Sequence, residues 1–135
     1  MQSKIVITTS AAFLLLMGLA MNFLPQELAG ALGLGSAPVV VVLIQVLSAA
    51  LLGMGYMNWL SKGNPMGGIY SRPLALQNLL LFGVGAISLD RAAVRGALPE
   101  IQLAAALFTG FALAFAWLMF FHDPVKDSPK DEPRP

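Results

Sequence analysis

Few side chains in this chain are equipped for chemistry. There is one histidine, His122, followed by Asp123 and Pro124, and there is no cysteine. A structural zinc site takes four Cys, His or carboxylate ligands, and a bis-histidine haem needs a second axial imidazole. His122 has no such company and reads as a polar residue at the edge of an apolar segment. Serine, histidine and carboxylate do not gather in sequence. No G-x-S-x-G, H-E-x-x-H or phosphate-cradling glycine loop is present. No catalytic residue, metal ligand or cofactor is therefore assigned, and the expectation is a protein that is not an enzyme.

The other candidates are uncharged amides and hydroxyls within apolar surroundings: Gln45, Ser48, Asn58, Gln77, Asn78 and Gln102. An amide in an apolar medium must find a hydrogen-bond partner. Gln45 with Gln102 and Asn58 with Asn78 are expected as pairs between helices. The same residues read alternatively as the polar lining of a small-molecule cavity. Ala106, Gly110 and Ala114 recur every four residues. Such a column of small side chains lets helix backbones approach closely, either within the chain or against a partner. Gly53 and Gly55, and likewise Gly83 and Gly85, thin two segments without forming one column.

The elements that must position these groups stand out by charge. All fifteen Asp, Glu, Lys and Arg residues lie outside four stretches, Ile5–Leu24, Pro38–Ser61, Pro73–Leu89 and Ile101–Phe121, of 20, 24, 17 and 21 residues. A hydrocarbon core of about 30 Å takes roughly 20 helical residues. The fold expected is all-α: a four-transmembrane-helix bundle over residues 1–121 with short loops, then a disordered cytoplasmic tail over 122–135, rich in proline and charge. With 11% charged and 57% hydrophobic residues, little is left for a domain outside the membrane. A net charge of +1 gives no footprint for nucleic acid. Lys4 followed by Ile5–Leu19 and Gly18-Leu19-Ala20 also has the layout of a signal peptide, although the apolar run is long for one.

Between the first two stretches, Pro25 and Glu27 suit a helix first turn. A short interfacial helix ending at Gly33 and Gly35, or a plain glycine loop, is expected there. Asp90, Arg91 and Arg95 read as a solvated loop. Lys4, Lys62, Arg72, Lys126, Lys130 and Arg134 would share one side, against Arg91 and Arg95 on the other. That bias places both termini in the cytoplasm. Trp59, Tyr70, Trp117, Phe120 and Phe121 would form an aromatic belt on the same side.

Phe23-Leu24-Pro25-Gln26-Glu27 closes the first stretch, Gly53-Met54-Gly55-Tyr56-Met57-Asn58-Trp59 closes the second, and Pro73-Leu74-Ala75-Leu76-Gln77-Asn78 opens the third. Together these resemble small bacterial four-helix membrane proteins of unknown function, of the broad DoxX-like kind. The resemblance implies a four-helix bundle and supplies no catalytic residues. The function expected is a non-enzymatic accessory or scaffold subunit of a bacterial inner membrane. Its partners would be membrane lipid and a membrane protein or a second copy of itself. The alternative is a binder or carrier of a lipid or apolar small molecule.

Overall fold

The computed structural model describes residues 2–35, 37–63, 71–96 and 98–121. The expected tail, His122 and Tyr70 lie outside the described residues. The protein is all-α, and no strand occurs among the described residues. Five helices follow in order: α1 (Gln2–Phe23), α2 (Pro25–Ala31), α3 (Pro38–Ser61), α4 (Ser71–Val94) and α5 (Pro99–Phe121). Four of them, α1, α3, α4 and α5, are long and apolar enough to cross a membrane.

The helix ends follow local rules. Pro25, Pro38 and Pro99 open α2, α3 and α5, where a missing N–H loses no intrahelical bond and a fixed φ is already helical. The stretch after Pro25 is a helix rather than a loop. It stops in a Schellman turn: Leu34 N–H reaches Ala29 O at 2.9 Å and Gly33 N–H reaches Gly30 O at 3.0 Å. Gly33 takes φ +68°, a conformation only glycine adopts freely. At the end of α3, Lys62 lies 3.0 Å from the centroid of the Trp59 ring, a cation–π contact at the negative pole of the helix dipole.

The boundary that departs furthest from expectation closes α4. α4 does not stop before Asp90-Arg91 but runs on to Val94. Ala92 and Ala93 are strong helix formers, and a charged pair does not break a helix. The break comes at Gly96, φ +83°, whose N–H bonds Ala93 O at 3.1 Å. Asp90 and Arg91 are therefore helical residues, not a loop.

The chain divides into two compact units, Met1–Gly63 and Asn64–Pro135. In the first, α1 and α3 lie antiparallel: Ser10 meets Asn58, a side chain at Gly55 would meet Leu15, one at Gly18 would meet Leu52, and Asn22 meets Ser48. Buried positions on α3 are Ile44, Ser48, Leu51, Gly55 and Asn58. On α1 they include Ile7, Ala11, Leu14, Gly18 and Met21. Both sets alternate steps of four and three, the spacing of helices that cross at a shallow angle.

In the second unit α4 and α5 are antiparallel, and the seam is aromatic. Phe82 is fully buried. Its ring stacks on Phe111 (centroids 4.8 Å apart) and Phe115 (5.8 Å) and meets Phe108 edge-on at 5.3 Å. Each such pair contributes about 0.5–1.5 kcal/mol beyond the area it buries. Gly85 makes room for this cluster, since a Cβ there would stand 2.5 Å from the Phe108 ring.

Candidate functional site

Polar side chains on the long helices fall into three groups. The first are hydroxyls that bond their own helix. Thr9 Oγ1 donates to Ile5 O at 2.8 Å, Ser61 Oγ to Met57 O at 2.8 Å and Ser88 Oγ to Val84 O at 3.0 Å. This back-bonding hides a hydroxyl from an apolar medium without any partner helix.

The second group ties α1 to α3. Asn58 is fully buried, and its Nδ2 donates to Ser10 Oγ at 3.1 Å. Ser10 Oγ in turn donates to Ile7 O at 2.9 Å. The Ser10 oxygen thus accepts from one helix and gives to its own. Ser48, also buried, donates to Gln45 O at 2.7 Å, with Asn22 Oδ1 at 3.4 Å, a distance at which a hydroxyl bond is weak. Among the described residues no buried polar side-chain atom lacks a partner.

The third group lies on α4 and α5. Thr109 Oγ1 donates to Asp90 Oδ2 at 3.1 Å. The contact follows from helix geometry. Side chains lean toward their own helix N-terminus, and in an antiparallel pair those lean toward each other. Asp90, near the end of α4, therefore meets Thr109, which lies about 15 Å along α5 from Pro99. Asp90, Ala93, Val94, Gln102, Ala105, Ala106 and Thr109 line an open recess of about 550 Å³. It has one carboxylate, one hydroxyl and one amide among alanine walls.

The residues singled out from the sequence are distributed as follows. Ser48, Asn58 and Asn78 are buried, and Asn78 Nδ2 donates to Leu74 O at 2.9 Å on its own helix. Gln77 is half-buried; Gln45 and Gln102 are exposed, and Gln102 lines the recess. Asn58 bonds Ser10 and Asn78 bonds Leu74, each within its own unit; the expected Gln45–Gln102 and Asn58–Asn78 pairs each join residues of the two units. Ala106 and Gly110 are exposed, Ala114 is half-buried, and a Cβ at Gly110 would meet nothing. α5 meets Phe82 of α4 through Phe108, Phe111 and Phe115, so the Ala106–Gly110 row stands outside that seam. Sequence reasoning passes over Ser10 and puts Asp90 in a loop. Ser10 shares a helix face with Gly18, two turns on, and Gly96 marks where a helix containing Asp90 must end.

Among the described residues no three His, Cys, Asp or Glu side chains come together. No family model matches the chain, and neither the curated proteins nor the solved structures give a match.

Proposed function

We propose that this chain is a multi-pass protein of a bacterial inner membrane, with both termini cytoplasmic, and that it serves as a non-enzymatic accessory or scaffold subunit. The observation that carries this reading is the exposed side of α5, outside its phenylalanine seam with α4. Ala106 and Gly110 lie exposed there, and a side chain built at Gly110 would touch nothing. In lipid, helices associate through small residues that bring backbones together and through polar groups that bond across the contact. Within the α1–α3 hairpin both devices are already used, by Gly18, Gly55, Ser10 and Asn58. On α5 the same device is present and open. Large apolar residues stand exposed around it, among them Leu103 and Leu113, as a surface facing lipid or a partner requires. The orientation rests on six Lys and Arg residues on one side against two on the other.

Gentle release from membranes with lipid retained, followed by native mass spectrometry, tests the reading. A fixed stoichiometry with a second polypeptide, of either kind, is expected. A lone chain at every detergent strength overturns it.

A further inference from the structure

The recess between α4 and α5 holds a carboxylate with an unusual neighbourhood. Asp90 is exposed near the end of α4, and Thr109 is its hydrogen-bond partner. Among the described residues no basic group pairs with it. A carboxylate beside hydrocarbon is strongly favoured by a cation and a short, charge-assisted bond. Ala93, Ala105 and Ala106 line the same recess, so another helix can come close.

We propose that this flank is where a second copy of the chain docks, with Asp90 of each copy facing Arg91 of the other. The proposal rests on the membrane reading above, in which every copy is inserted the same way. Two copies so inserted can be related by a two-fold axis only if that axis runs along the membrane normal. Such an axis moves no residue in depth. Asp90 must then meet whatever this chain carries at the depth of Asp90. The basic residue nearest that depth on α4 is Arg91, which is exposed and only about 1.5 Å further along the helix. Arg95 is about 7.5 Å away along the helix direction and already in the turn. A two-fold contact makes both Asp90–Arg91 pairs at once, because the same patch is used twice. Thr109 then has a second use: it fixes one carboxylate oxygen and leaves the other for the guanidinium.

The absence of cysteine makes the test clean. Ala106→Cys places one thiol in the recess. Ser88→Cys places one at nearly the same depth, about 200° round α4 from Asp90, where it is also exposed. The full chain in native membranes is treated with a short bifunctional thiol reagent. Ala106→Cys is expected to give a covalent dimer several-fold above Ser88→Cys. Adding Arg91→Asp, which leaves the Asp90–Thr109 bond in place, is expected to lower the dimer-to-monomer ratio roughly tenfold. Arg91→Lys is expected to keep most of the dimer, and the exchange Asp90→Arg with Arg91→Asp to restore it. Equal cross-linking at both thiols, or no change with Arg91→Asp, overturns the proposal. A product joining Ala106→Cys to a different protein also overturns it, yet leaves the accessory-subunit reading standing.

Discussion

Gly53 and Gly55 lie two residues apart on α3 and should respond unequally to the same substitution. At Gly55 a Cβ would sit 3.0 Å from Leu15 Cγ, 3.0 Å from the Leu15 backbone nitrogen and 3.1 Å from Leu14 Cβ. A rotamer change relieves the first contact but not the others, because a backbone atom and a Cβ cannot swing away. α1 and α3 must separate by a few tenths of an ångström along a seam that Ser10 and Asn58 hold closed. Overpacking of this kind costs about 1–3 kcal/mol. The helix gains about 1 kcal/mol when alanine replaces glycine, so Gly55→Ala should come out neutral to about 2 kcal/mol less stable. At Gly53 a Cβ meets nothing within 4 Å, and only the gain remains. The two variants should therefore differ by about 1–3 kcal/mol. Reversible unfolding in mixed micelles, followed by far-UV circular dichroism as a denaturing detergent is titrated in, measures that difference directly. If Gly55→Ala proves as stable as Gly53→Ala, the α1–α3 close approach is wrong.

Three further outcomes follow from the same packing. Ser10→Ala should lower stability by about 0.6 kcal/mol, the mean for a bond between membrane helices; Ser61→Ala, whose hydroxyl bonds only its own helix, should change nothing in the same titration. Phe82→Ala removes the centre of the aromatic seam and should cost about 3–5 kcal/mol, with near-ultraviolet dichroism showing the loss of fixed rings. Gly33→Ala forces a side chain into a left-handed turn at roughly 1–2 kcal/mol, and amide exchange should quicken over Ala29–Leu34 while the long helices stay protected.

The long helices are legible because apolar length and the absence of charge are properties of the sequence alone. Pro38 and Ser61 bound both the apolar stretch and the helix α3, since a proline opens it and a lysine closes it. What the sequence hides is which side of each helix packs. In a soluble helix a polar face marks the outside; here every face is apolar, so hydrophobic periodicity carries no direction. The seam is marked instead by small and polar residues at steps of four and three, such as Ser48, Gly55 and Asn58 on α3. That pattern also shows which glycine of each pair matters: Gly55 and Gly85 face a neighbouring helix, Gly53 and Gly83 do not. The end of α4 escapes the sequence for a related reason. Charge at Asp90 ends only the apolar run, whereas the left-handed glycine at position 96 ends the helix.

That distinction leaves the α4–α5 hairpin with a step in its apolar height. The uncharged run on α4 spans 17 residues, about 25 Å, and that on α5 spans 21, about 31 Å. A bilayer cannot match both helices at once. Beside the Asp90 end of α4 it must thin, or head groups and water must dip, and both carry an elastic cost that grows with each ångström of mismatch. Short-chain lipids should therefore collect at this corner, and a thicker membrane should push like surfaces together to cover it. Bilayer thickness thus becomes a control variable for this protein, acting through a helix that continues four residues past Asp90.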